Sequence, residues 1–82
     1  MKKMVNLYVP SLGTCYDISV PDEMKVGLLV ELLVRSVSEL SYGRYVPSGA
    51  ELLCRQADGQ TLSHSAALKE YGVGNGERLI LF

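Results

Sequence analysis

The chain has 82 residues, 48% of them hydrophobic and 21% charged, with a formal net charge of −1. That length predicts one domain over residues 1–82, with one core and no separate substrate domain. A charge balance near neutral argues against a nucleic-acid binder, which carries a basic surface, and no apolar run approaches the roughly 20 residues that insert across a bilayer.

The N-terminus, Met1-Lys-Lys-Met-Val-Asn-Leu-Tyr-Val9, begins like an export signal. Asn6 and Pro10 interrupt the apolar stretch and no small-residue cleavage site follows, so it reads as a strand and the chain as cytoplasmic. Lys2 and Lys3 form the only basic doublet and read as a solvated end. Without an export signal, Cys15 and Cys54 are expected as reduced thiols.

Val5, Leu7 and Val9 alternate with Asn6 and Tyr8, and Tyr16, Ile18 and Val20 alternate with Asp17 and Ser19. Each run has the period of a half-buried strand. Pro10-Ser-Leu-Gly13 between them supplies turn chemistry, which predicts a hairpin. Val26, Leu29, Leu33, Val37 and Leu40 then repeat at helical spacing. The helix is predicted to start between Asp22 and Val26, with Asp22 and Glu23 favouring its positive end. Gly27 is a mild penalty in its first turn, and Gly43 is a natural stop. Its apolar arc is unusually broad: Leu28 and Leu32 widen one flank, Val30 and Val34 the other. Either Tyr42, Tyr45 and Val46 of the following loop fold over a flank, or the helix carries a self-association or partner surface.

Glu51–Arg55 is predicted as a third strand, Asp58-Gly59 as a turn and Thr61-Leu62 as a very short strand. Apolar residues then fall at Leu62, Leu68, Val73, Leu79 and Leu81. Only the last step is a strand period. The wider steps predict an irregular crossover, with one helical turn within Ser65 to Tyr71, that dips into the core at intervals. Gly74-Asn-Gly76 launches a final strand over Arg78 to Phe82.

Strand, strand, helix, strand, short strand, strand predicts an α+β domain with a mixed sheet packed on one helix. This order resembles the β-grasp fold of ubiquitin. Val46-Pro47 resembles the Ile-Pro ahead of the corresponding strand, and Leu62, Leu68, Tyr71, Val73, Leu79 and Leu81 reproduce the family's apolar and tyrosine spacing. The helix Val26-Gly-Leu-Leu-Val-Glu-Leu-Leu33, Asp58-Gly-Gln-Thr-Leu62 and Leu68-Lys-Glu-Tyr-Gly-Val-Gly-Asn-Gly-Glu-Arg-Leu79 are most similar to the bacterial YukD/EsaB group. They are also similar to the ubiquitin-like N-terminal domain of EccD. The resemblance implies an accessory or regulator of a type VII (WXG100) secretion system on the cytoplasmic side, with protein partners in that machinery. It also implies that the Tyr71 hydroxyl bonds the backbone of the preceding loop. The alternative within the same fold is a sulfur carrier or protein modifier. Those proteins end in Gly-Gly, whereas this sequence ends Leu79-Ile-Leu-Phe82 within the strand, which disfavours covalent transfer.

Catalytic chemistry finds little support. His64 is the only histidine, and a metal site needs several converging ligands. A Cys-His pair needs a third orienting group. Gly72-Val-Gly-Asn-Gly76 precedes a strand rather than a helix, so it is not a phosphate loop. No catalytic residue, metal or cofactor is therefore expected. Strand parity instead turns Val5, Leu7, Val9, Leu53, Leu79 and Leu81 toward the helix and Tyr8, Leu52, Cys54, Ile80 and Phe82 outward. These five form a predicted apolar patch for a partner protein or a second copy of the chain, unless Lys and Arg stems or the Tyr42–Tyr45 loop cover it.

Overall fold

Alternating apolar and polar residues build the first hairpin in the computed structural model, which describes residues 1–82. Strand β1 (Lys2–Val9) pairs antiparallel with β2 (Thr14–Pro21), from Lys2 opposite Pro21 to Val9 opposite Thr14. Helix α1 (Val26–Leu40) follows, then β3 (Leu53–Arg55), β4 (Gln60–Thr61), a 3₁₀ turn at Leu68–Tyr71 and β5 (Arg78–Leu81). The sheet order is β2-β1-β5-β3-β4, with β1 and β5 parallel and the other pairs antiparallel. This is the α+β, β-grasp arrangement that the element order predicts.

Val5, Leu7, Val9, Leu53, Leu79 and Leu81 are wholly buried beneath α1, as parity requires. Leu62, Leu68 and Val73 enter the same cluster from the crossover. Each such side chain contributes about 1.5–3 kcal/mol through burial.

The helix starts at Val26, the last position of the predicted range, so Asp22 and Glu23 fall short of its positive end. No acidic residue lies in its first turn. The Asp22 carboxylate pairs with the Met1 amino group at 3.0 Å, and its carbonyl accepts the Lys69 amide at 3.0 Å. The crossover supplies the helix's orphan donors instead: the Val26 amide donates to the Ala66 carbonyl at 2.8 Å and the Gly27 amide to that of His64 at 3.0 Å. Gly27 is thus a point of close approach, because a Cβ there would lie 3.2 Å from both the Cβ and the carbonyl oxygen of His64. At the other end Tyr42, left-handed at φ 55°, turns the chain out of the helix, its amide bonding the Glu39 carbonyl at 3.1 Å, and Gly43 completes the predicted stop. It adopts φ 78°, and its amide bonds the Ser38 carbonyl at 2.8 Å.

The loop after α1 covers only part of the broad apolar arc. Tyr45 is buried, whereas Tyr42 and Val46 are 95% and 80% exposed. The Tyr45 hydroxyl donates to the Glu51 carboxylate at 3.1 Å, and the Ser48 amide donates to the same oxygen at 2.6 Å. Glu51 therefore anchors this loop from a buried position ahead of β3 rather than opening the strand. Leu52, also outside β3, still exchanges both main-chain bonds with Phe82, at 2.6 and 3.0 Å. Strand β4 begins at Gln60, one residue earlier than expected, and Leu62 leaves the strand to enter the core.

Candidate functional site

Strand register assembles the outer sheet face residue by residue. Cys15 lies opposite Tyr8, Tyr8 beside Ile80, Ile80 opposite Cys54 and Cys54 opposite Thr61, one row across all five strands. Beyond that row Phe82 faces Leu52 through their paired main-chain bonds. Tyr8, Leu52, Ile80 and Phe82 are therefore neighbours, and neither α1 nor the Tyr42–Tyr45 loop covers them. Phe82 is 54% exposed and Leu52 40%, while Tyr8 and Ile80 are half-buried. Cys54 sits in the row as parity requires, but it is buried. Its small side chain lies between larger neighbours, so it adds little to the exposed patch.

The next row is polar. Arg78 Nε donates to Asn6 Oδ1 at 2.7 Å, and Asn6 Nδ2 donates to Asp17 Oδ1 at 3.1 Å. The Arg78 guanidinium carbon lies 5.7 Å from the centroid of the Tyr8 ring, within cation–π range. Asn6 and Arg78 share the face of the predicted patch without being among its five residues. They stand two positions before Tyr8 and Ile80, so the same parity could have found them. An apolar centre edged by an oriented arginine and an aromatic ring is the composition of a protein-binding surface.

The titratable groups are engaged in structure. Burial and the hydrogen bond to Glu51 push the Tyr45 hydroxyl up to about 12. Burial works to raise the Glu51 carboxyl, but the Ser48 amide and the Tyr45 hydroxyl overcome it and hold the group below its ordinary value. Arg55 ties four segments together. It donates to the Tyr71 carbonyl, Asp58 and Gln60, and pairs with Glu77 at 3.6 Å. The Asp58 hydrogen bond, set against burial, raises the Arg55 guanidinium above its ordinary value. Cys15 and Cys54 are separated across the outer face by Tyr8 and Ile80, and no three His, Cys, Asp or Glu converge as metal ligands. A groove of about 390 Å³ lies on the helix layer, lined by Val30, Val34, Pro47, Gly49, Glu51 and His64 among others.

A family model described as the WXG100 protein secretion system (Wss) protein YukD matches residues 5–81. No curated protein matches the chain. Among solved structures, the EccD5 ubiquitin-like domain from Mycobacterium xenopi is similar, with a TM-score of 0.83 at 17% identity over 100% of this chain and 93% of that one. The ubiquitin-like domain of the Mycobacterium tuberculosis type VII secretion system protein ECCD1 has a TM-score of 0.80 at 17% identity, over 99% and 97%. A chain of the MycP5-free ESX-5 inner membrane complex has a TM-score of 0.79 at 23% identity, over 99% of this chain and 20% of that longer one.

Proposed function

The chain belongs to the YukD family of the WXG100 protein secretion system, and from that premise we propose that it is a ubiquitin-like binding module of a type VII secretion apparatus. It acts on the cytoplasmic side as an accessory or regulator. Its partner is a protein of the machinery, docked on the outer sheet face through Tyr8, Leu52, Ile80 and Phe82, with Arg78 at the margin.

One observation carries this reading: Leu52 and Phe82 are 40% and 54% exposed on a face whose opposite side is fully packed. Exposed apolar neighbours edged by charge mark interaction surfaces. Binding rather than catalysis is supported by the polar groups. Glu51 is committed to a loop clasp and Arg55 to a four-segment tie, so neither is poised toward a substrate. The similarity to a chain of the ESX-5 inner membrane complex supports a partner within a secretion assembly. No helix of this chain is long and apolar enough to cross a membrane, so recruitment through protein contacts is the consistent route.

The test is Ile80→Asp. Ile80 is half-buried at the centre of the patch, so a carboxylate there opposes any apolar partner. Co-purification of the tagged chain with secretion components should be lost while the far-UV circular dichroism stays unchanged. Undiminished co-purification would remove the outer face from consideration. If the spectrum changes, Phe82→Asp serves instead, because that side chain is more exposed.

A further inference from the structure

Strand β2 stands at one edge of the sheet and pairs only with β1. At the end of their ladder the Asp22 amide donates to the Met1 carbonyl at 3.0 Å. Main-chain groups of successive strand residues point to opposite sides. Thr14, Tyr16, Ile18 and Val20 therefore turn theirs toward β1, and Cys15, Asp17 and Ser19 turn theirs outward. No loop or helix bonds those three main chains.

Protein sheets usually blunt such an edge with Lys, Pro, a bulge or a covering segment. Thr14-Cys-Tyr-Asp-Ile-Ser-Val20 has no Lys, Pro or Gly, and its register with β1 is unbroken. Only Pro21 closes it. On the helix layer beside it, Tyr16 and Ile18 are half-buried. The Val30–Val34 flank of α1 meets Pro47, Gly49 and His64, on the β3–β4 side. The arc continues the other way through Leu32, 42% exposed, to Leu28, 57% exposed on the side of the helix turned away from the sheet, where both line a shallow groove with Met24, Glu31 and Arg35.

We infer that the β2 edge is a second binding site, distinct from the outer face, which takes an extended peptide segment of a partner protein by strand addition. Aliphatic side chains at alternate positions lie beside Tyr16 and Ile18 on the helix-facing side of the sheet. A basic side chain lies opposite Asp17, the only charge on β2. The outward N–H and C=O groups select an extended chain over a helix, because only a strand presents matching groups at the same interval. A second copy of this chain is the poorer occupant. The two-fold antiparallel register that uses Cys15, Asp17 and Ser19 sets Asp17 directly against Asp17, and like charges opposite one another destabilise a strand pair. Registers that avoid this clash leave one of the three positions unpaired in each copy.

The probe is the acetylated, amidated peptide Val-Thr-Val-Lys-Val-Thr-Val, titrated into the ¹³C,¹⁵N-labelled chain. The amides of Cys15, Asp17 and Ser19 should shift and exchange more slowly with deuterium, together with shifts at the side chains of Tyr16 and Ile18. Asp17→Lys, an exposed change, should weaken binding about tenfold. Ile80→Asp should leave the titration unaltered, which separates this site from the outer face. The inference is overturned by unshifted β2 amides at saturating peptide, by shifts confined to Tyr8, Ile80 and Phe82, or by equal affinity in Asp17→Lys. It is also overturned if slow exchange at the three amides accompanies a dimer in sedimentation without peptide.

Discussion

The Ser63 amide donates to the Tyr71 hydroxyl at 2.8 Å, while the Tyr71 ring packs against the core. The hydroxyl thus pins the start of the crossover, as the resemblance to ubiquitin implies. Tyr71→Phe keeps the ring and removes the acceptor. It should lower stability by about 1 kcal/mol, and so lower the Tm by roughly 4–8 °C for a chain of this size. An unchanged Tm in thermal denaturation would show that water replaces the bond in full. Tyr71 was readable from the sequence because its position in the crossover matches a known pattern. Gly27 was not: its nearest neighbour is His64, far along the chain, and only the folded crossover brings that carbonyl against the helix. Cys54 was placed on the correct face, but its burial depends on the width of side chains on neighbouring strands.

The loop between α1 and β3 shows how one element can be set by two titrating groups. Glu51 accepts from both Tyr45 and Ser48 in a buried position. Its carboxyl is held below the ordinary 4.5, so the stability it adds is complete above that pH and is lost as pH falls through its lowered folded value. Tyr45 is raised from 10.0 to about 12. Its contribution is complete below pH 10 and is lost as pH rises toward about 12. In thermal melts, the gap between the wild-type chain and Glu51→Gln should therefore be widest near neutrality and should close in acid. A gap of equal size at acidic and neutral pH would dismiss the clasp as a source of stability. Glu51 falls at the start of the predicted third strand because a carboxylate before Leu52-Leu53 carries no periodic mark of burial. Its partners lie in the irregular loop, where no repeat reveals them.

Across the whole molecule, buried side chains from β1, β2, α1, β3, the crossover and β5 meet in one cluster. Leu79 is fully buried on β5, between β1 and β3. Leu79→Ala should cost about 2–5 kcal/mol, a large part of the total for a small domain. Circular dichroism and tyrosine fluorescence should still report one coincident transition, as expected of one shared core. Two separated transitions would break the idea of a single cooperative unit over residues 1–82.

Periodicity and turn chemistry in the sequence determined the hairpin, the helix, the last strand and the two faces of the sheet. Side-chain direction follows from local backbone geometry, which repeats every two residues in a strand and every 3.6 in a helix. Tertiary structure decided which apolar residues remain uncovered. Leu28 and Leu32 are as apolar as the buried leucines of the same helix, yet stay exposed because they lie on its side turned away from the sheet, beside Glu31 and Arg35, where nothing is packed on them. Exposure depends on what lies opposite a side chain in space, and that is settled only when the strands have taken their order.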